Sequence, residues 1–480
     1  MVVGWHVTDN GFAGKDRATQ PVGEVVVSVI LRLHRRLVAL GTGLVLALPV
    51  LALSGPATAG ALVSVPAPAP EPAPGADAPS HNGHLLLIGG SLGEQRTILK
   101  RFVRMSDPDG DGPRRARVAV VTASSYPAQT EEEATDPDEE NATTNGQYYV
   151  DQFERFGADA WPVPIDEADN FPGDWYVPAN SYDPEIARGI SASTAVFLGG
   201  GDQMRYLRSM LECEPAQDEA LTDCVDTPVV AAIRRLLDLG GVVAGTSAGL
   251  TVQQAAPMIT GGQPYESWRD GARPGYFNSR RLGYVPYGGF GFFDAAMLDS
   301  HFATWGRQVR MVRLAMDERV GWNHVVGVDE TTALVVHRAT GRARVIGKNG
   351  VSVLDVGSAT LDGTTLTGAR WSYLTRGDRL DVDSWRVRPG RNSTEVVGDG
   401  PGPPVQPDIW DSVDAPNVYS LRDLGVALVE SEADRARGVT LEDDPQYETT
   451  LVVGPATVAW RTHLDRISFR ELEIRVEPLP

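Results

Sequence analysis

The chain has 480 residues, more than one ordinary domain uses, and 42% of them are hydrophobic, which excludes global disorder. Its formal net charge is -20, from 43 Lys and Arg against 63 Asp and Glu. Nucleic-acid phosphates want the opposite sign, so no nucleic-acid partner is expected, and the acidic surface reads as a means of staying soluble.

Near the N-terminus Arg32, His34, Arg35 and Arg36 form a basic cluster, followed by an apolar run from Leu37 to Leu53. Small residues come next, and Ala57-Thr58-Ala59 fits the small-x-small pattern of a signal-peptidase site. The run, about 17 residues, is at the lower limit for spanning a bilayer. It contains Gly41, Gly43 and Pro49, and no basic cluster follows it. Residues 1–61 are therefore expected to be a leader with a cleaved signal peptide, giving a secreted or extracytoplasmic protein without a stable membrane anchor. The stretch before the basic cluster is long for such a signal. Translation is expected to begin near Val25 to Val29, with residues 1–24 a start-site artefact. Residues 62–82 alternate Pro and Ala and read as a semi-rigid linker.

From His84 the pattern is apolar strand, turn, helix, repeated. Leu85 to Ile88 ends in Gly89-Gly90, Val118 to Val121 in Thr122-Ala123-Ser124-Ser125, Ala195 to Leu198 in Gly199-Gly200-Gly201, and Val242 to Ala244 in Gly245-Thr246-Ser247. Helices are expected over Asn145 to Phe156 and Pro228 to Leu239. Short, continuously apolar strands alternating with helices predict an α/β fold with a parallel sheet covered on both faces. In such sheets the working residues sit at the carboxyl ends of the strands. The two cysteines, Cys213 and Cys224, have ten residues between them and can pair in an oxidising compartment. No His or further Cys lies beside them, so no metal site is expected there. After about residue 333 short strands and Gly-containing turns take over. Residues 361–415 are expected to be a β-rich extension and linker. Residues 416–480 are expected to be an accessory α+β unit, with a helix near Leu421 to Glu430 and strands at Thr449 to Val453 and Ile474 to Val476.

Gly245-Thr246-Ser247-Ala248-Gly249, after an apolar strand and before a helical stretch, is a nucleophile-elbow pattern. Flanking glycines permit the tight turn that lifts the Ser hydroxyl above the sheet edge. A Ser nucleophile needs a base, and the base an orienting acid. Of the eight His, His301 has the best placement, where the apolar strand Met297-Leu298-Asp299 reaches polar residues. For the acid, Glu330 is preferred and Asp329 is the alternative; both follow the apolar run Val325 to Val328.

These motifs are jointly more specific than any one of them. Phe197-Leu198-Gly199-Gly200-Gly201-Asp202-Gln203, Gly245-Thr246-Ser247-Ala248-Gly249, Asp299-Ser300-His301-Phe302 and Gly327-Val328-Asp329-Glu330 occur in the order found in cyanophycinases. Residues 84–360 resemble the cyanophycinase and peptidase E family of serine peptidases. The resemblance implies a flavodoxin-like sheet related to class I glutamine amidotransferases, and the order Ser, His, acid in place of the usual α/β-hydrolase order Ser, acid, His. It implies Ser247 as nucleophile, His301 as base and then acid, and Glu330 as the group that fixes the imidazole. The Ala248 N–H and one from the Gly200-Gly201 turn (Gly201 is preferred) would form the oxyanion hole. Gln203, Asp299, Arg307 and Arg310 would bind a peptide or cyanophycin-like polymer, with no cofactor required, and a homodimer is suggested. Two departures weaken the substrate inference: Trp305 stands where cyanophycinases carry Arg, and Ser300 where they carry Gln.

One motif suggests a metal. Asp107-Pro108-Asp109-Gly110-Asp111-Gly112 has the alternating carboxylates of a calcium loop, but Val118 occupies the place of the twelfth-position Glu. An acidic turn is the better reading.

Overall fold

The computed structural model describes residues 83–93, 95–107, 115–410 and 418–480. The expected leader, signal peptide and linker lie outside these residues. So do residues 108–114, which hold Asp109 and Asp111 of the candidate calcium loop.

Five short apolar strands lie parallel in one sheet: His84–Ile88, Arg117–Val121, Asp159–Val163, Ala195–Leu198 and Val242–Thr246. Across the sheet they run third, second, fourth, fifth, first. This is the flavodoxin-type order with the chain's first strand standing in the last place. Strand side chains alternate between faces. Leu85, Leu87, Val196, Leu198 and Val243 point to one side, where the helices Pro184–Ser191 and Pro228–Asp238 cover them with Ile186, Ile190, Ile233 and Leu237. Leu86, Ile88, Val120, Phe197 and Ala244 point to the other, under Arg96–Ser106 and Ala142–Glu154. There Phe153 meets Phe102 and Phe197 edge to face, with ring centroids 5.0 and 4.9 Å apart, and Phe102 and Phe197 lie tilted at 6.0 Å. Each such ring adds roughly 1.5–3 kcal/mol by leaving water.

The helix expected from Asn145 starts three residues earlier. Asn141 caps it, accepting from the Thr143 and Thr144 N–H groups, while the Thr144 hydroxyl accepts from the Asn141 N–H. That reciprocal arrangement satisfies N–H groups that the first helical turn leaves without partners.

The sheet is not purely parallel. Thr332–His337 pairs antiparallel with His84–Ile88, and three further strands extend that side to a total of nine. A second sheet carries Met297–Asp299 beside His324–Val328, in parallel, with Asp299 level with Gly327. It continues through Gly350–Asp355 and Thr365–Thr375 into Ile467–Pro478, Tyr447–Val452 and Arg435–Val439. The described part of 416–480 therefore does not build a sheet of its own. Ile467–Pro478 covers the open edge of Thr365–Thr375, and the helix Ser420–Val429 packs Leu421, Leu424 and Leu428 into a core shared with Trp371 and Phe469. An apolar strand with a bare edge invites such cover.

Cys213 and Cys224 stand opposite each other in the hairpin formed by Leu211–Cys213 and Cys224–Asp226, and they are disulfide-bonded. Among the described residues no helix is long and apolar enough to cross a membrane, and no group of three or more His, Cys, Asp or Glu is gathered as for a metal ion.

Candidate active site

Ser247 follows directly on the strand Val242–Thr246 with φ 53° and ψ -115°. A non-glycine residue at positive φ costs energy that the surroundings must hold in place. Its N–H bonds Ile88 O at 3.0 Å. Gly245 and Gly249 must be bare: a Cβ on Gly245 would lie 2.0 Å from Gly249 O, and one on Gly249 2.2 Å from Leu198 O. The helix behind the elbow is a single turn, Ala248–Thr251, shorter than the sequence suggests, so its dipole adds little.

Ser247 Oγ lies 2.9 Å from His301 Nε2, and His301 Nδ1 lies 2.9 Å from Glu330 Oε1. The two partners come together because their strands are parallel neighbours in register. His301 leaves one strand two residues beyond Asp299, and Glu330 leaves the next three residues beyond Gly327. Burial pushes the Glu330 carboxyl up, but the hydrogen bond and charge of His301, with hydrogen bonds from Ser91 and Trp305, hold it below its ordinary value. It is a carboxylate at neutral pH, as an imidazole-orienting group must be.

Asp329, the alternative acid, points elsewhere. It is fully buried and accepts from Ala303 N at 2.8 Å, Gly350 N at 3.3 Å and Tyr373 Oη at 2.7 Å. Burial raises it to about 6, against the pull of those donors and of Arg422.

A feature that the motifs did not single out is Gly89-Gly90. Gly89 O accepts from His301 N at 2.7 Å, Gly90 O from Thr331 N at 2.9 Å, and Gly89 N donates to Thr332 O at 3.0 Å. One turn thus ties the base segment and the acid segment to the strand beside the nucleophile. A Cβ on Gly90 would sit 2.2 Å from His301 Cε1 and 2.5 Å from Nε2. The double glycine after the first strand was the visible signal. Its function was not, because the partners are more than 200 residues away in sequence.

Ser247, Ala248, Gly201, Gln203, Asp299, His301, Arg307 and Arg310 all line one cavity of about 310 Å³. The Gly199-Gly201 turn closes against the nucleophile. A Cβ on Gly200 would lie 3.3 Å from Ser247 Cβ, and Ser124 Oγ donates to Gly199 O and Gly200 O at 3.1 and 2.9 Å. Gly201, at φ 142°, and Ala248 therefore flank the serine from two sides.

The expected substrate groups divide. Asp299 is 2% exposed and takes Arg310 through Nε and Nη2 at 2.8–3.0 Å, with Arg307 Nη1 at 3.4 Å and Ser300 N at 2.9 Å. Arg310 is also buried and donates to Gly262 O as well. Burial and the nearby Arg307 pull it down to about 10, which Asp299 opposes, so it stays a cation at neutral pH. A buried carboxylate needs such a partner. Asp299 and Arg310 thus bind each other while lining the cavity that holds Ser247. Arg307 is more accessible: Nη1 donates to Ser300 O at 2.8 Å, and its guanidinium stacks over Trp305 at 5.0 Å. Gln203 lines the cavity but donates its amide to Ile259 O at 2.9 Å. The outer wall, Tyr276 to Ser279 and Arg281, was not foreseen. It leans on the disulfide-closed loop, where Tyr276 N donates to Asp218 O at 2.7 Å.

No family model matches the chain. It is 28% identical over 251 residues to a cyanophycinase of Geminocystis herdmanii, covering 50% of this chain and 78% of that protein. It is 30% identical over 207 residues to a cyanophycinase of Trichormus variabilis, covering 42% of this chain and 59% of that protein. Among solved structures it overlaps a peptidase from an acI-B1 actinobacterium with a TM-score of 0.41 at 18% identity, over 63% of this chain and 98% of that one, an overlap too loose to carry weight. In sequence the chain is thus similar to cyanophycinases, and its ordered Ser, His and Glu motifs are those of a serine-type peptidase.

Proposed function

We propose that the chain is an exported serine-type peptidase that hydrolyses aspartyl (iso)peptide bonds through an acyl-enzyme on Ser247, with cyanophycin as its substrate and β-Asp-Arg dipeptides as its products. The observation that carries this reading is the continuous chain Ser247 Oγ, His301 Nε2, His301 Nδ1, Glu330 Oε1 at 2.9 Å per step. His301 takes the serine proton as Oγ attacks the scissile carbonyl carbon. The N–H groups of Ala248 and Gly201 receive the oxyanion, where one donor typically contributes about 2.7–4 kcal/mol. The imidazolium, steadied by Glu330, gives its proton to the leaving amine, and the C–N bond breaks. Water then repeats the sequence on the acyl-enzyme and frees Ser247. Arg307, at the cavity wall and only partly engaged, is the cation for a substrate carboxylate.

A second reading, the same chemistry on another aspartyl or cell-wall peptide, is favoured by Trp305. Where cyanophycinases carry Arg, this indole stands 5.7 Å from the His301 ring, lies under the Arg307 guanidinium and helps hold Glu330 low, so the position serves the catalytic pair. Two experiments decide. A phosphonofluoridate probe should label Ser247 in folded protein, and absence of labelling sinks the hydrolase reading. Incubation with insoluble cyanophycin should release β-Asp-Arg; intact polymer alongside turnover of another aspartyl peptide selects the second reading. Export is tested by sequencing the N-terminus of the mature protein, which should fall after Ala59.

A further inference from the structure

Residues 418–480 carry no group that faces the cavity, yet their helix reaches the catalytic acid from behind. Tyr419, at φ 64° ahead of Ser420–Val429, sends its N–H to Thr304 O at 3.4 Å, three residues beyond His301. Its hydroxyl accepts from Asn349 Nδ2 at 2.9 Å, and that amide also donates to Glu330 O at 3.0 Å and Thr331 Oγ1 at 3.2 Å. Arg422 lies over the Tyr419 ring at 3.9 Å, bonds Asp423 at 2.7 Å and lines one cavity with Tyr373, toward which its charge acts. Tyr373 in turn donates to Asp329, which holds Ala303 N. Asp329 directly precedes Glu330, and Ala303 is two residues past His301. The buried carboxylate is therefore a clamp across the very gap that separates acid from base.

We propose that the C-terminal helix is a working part of the catalytic unit: Arg422 and Tyr419 are positioning residues that fix the His301 to Glu330 spacing through Tyr373, Asp329 and Asn349. This rests on the serine-peptidase reading above.

The electrostatics agree with the geometry. Asp329 accepts three donors, which suits an acceptor-only carboxylate and not a carboxylic acid that must also place a proton. The groups facing it are Tyr373 from the long strand and Arg422 and Tyr419 from the helix, with Glu330 next along its own chain and Asp423 paired to Arg422. Arg422 is the cation among them that favours the ionised clamp. Removing it leaves burial less opposed, so Asp329 takes its proton at a higher pH and the clamp loosens sooner on acidification.

The test uses the full chain with Arg422→Ala, Arg422→Lys and Tyr419→Phe. The readouts are the rate of Ser247 labelling by the phosphonofluoridate, kcat and KM on an aspartyl peptide, and the acid limb of the pH profile. A misplacement of under an ångström predicts a labelling rate and kcat lowered about tenfold in R422A with KM little changed, and partial recovery in R422K. The acid limb should move to higher pH in R422A. Folded R422A with wild-type labelling rate and an unmoved acid limb overturns the proposal. If R422A does not fold, Y419F, which removes one hydroxyl, decides by the same labelling rate: a drop supports the proposal and a wild-type rate overturns it. An unlabelled wild type instead overturns the hydrolase reading, and this inference with it.

Discussion

The two halves of the catalytic site are built differently. Ser247 and the turns around it sit at the end of a parallel sheet, each held by neighbours one strand away: Ile88 O below, Gly249 and Leu198 beside. His301 and Glu330 come from the second sheet, and their support arrives from Gly89-Gly90, from Asp329 and Tyr373, and from a helix more than 80 residues beyond the acid. Ser247 and His301 both sit at positive φ, but the nucleophile half is held by adjacent strands whereas the base-and-acid half is assembled from distant pieces. Substitutions in the first should therefore remove chemistry while sparing the fold, whereas those in the second should grade smoothly from loss of chemistry to loss of alignment.

Ser247→Ala breaks the comparison at its strongest point. It removes the nucleophile alone, and turnover should fall by about 10⁴-fold or more with thermal stability little changed, since Ala keeps the Cβ that bears the strain at positive φ. Turnover within tenfold of wild type would mean that Ser247 is not the nucleophile. Glu330→Gln follows, with about 10³–10⁴-fold lost as His301 loses its tautomer anchor. It also carries a pH signature. Glu330 is held below its ordinary value of 4.5, so its stabilising contribution is complete above that pH and is lost as pH falls through the folded value. Denaturant unfolding of wild type and E330Q should differ at neutral pH and converge below pH 4.5; curves that stay apart in acid contradict the assignment.

Gly90→Ala tests the join between the halves. Its methyl would overlap the imidazole, so the ring must turn away from Ser247, and activity should fall by about 10²-fold. The Ser247 labelling rate should fall in parallel; an unaffected rate would show that the turn gives way instead. Trp305→Phe is milder. It trims the ring that stands 5.7 Å from the His301 imidazole and removes an N–H that helps hold Glu330 low, and it should lower kcat severalfold. An unchanged kcat with a changed product spectrum would move Trp305 from the acid's support to the substrate's pocket.

The same contrast explains what could be read in the sequence. Four of the five parallel strands, the elbow at Ser247 and the preference for His301 and Glu330 are carried by runs of a few residues, such as Val242 to Ser247, whose apolar strand and glycine turn are visible locally; Asp159–Val163, broken by Pro162, offers no such run. The choice between Asp329 and Glu330 depended on which of two adjacent side chains meets the imidazole, and strand alternation sends Asp329 into the core toward Tyr373. That Asp299 and Arg310 are buried against each other in the cavity wall depends on packing that no local run of residues shows. The place of Ile467–Pro478 beside Thr365–Thr375 was illegible because the pairing spans about a hundred residues and neither strand's pattern names its partner.

The disulfide gives the smallest expected effect on chemistry and sharpens the comparison from outside. The Cys213–Cys224 hairpin touches none of the three catalytic residues, but its loop carries Asp218, whose carbonyl receives Tyr276 N, and Glu219, which holds Arg208 at 2.7 Å through both guanidinium arms. Tyr276 donates to Asp202 at 2.5 Å, and Asp202 caps the helix that Gln203 opens. The loop is thus a brace for the outer wall of the cavity. Replacing both cysteines by serine frees a short loop in the unfolded chain and should cost about 2–4 kcal/mol of stability. Below the new melting temperature kcat and the Ser247 labelling rate by a small phosphonofluoridate should be unchanged, because nothing near the triad has moved. KM for a polymer or long peptide should rise, because the wall from Tyr276 to Arg281 is held less firmly. A kcat that falls with KM unmoved would mean that the two halves of the site are coupled through this wall, and that the separation drawn between nucleophile and support is too sharp.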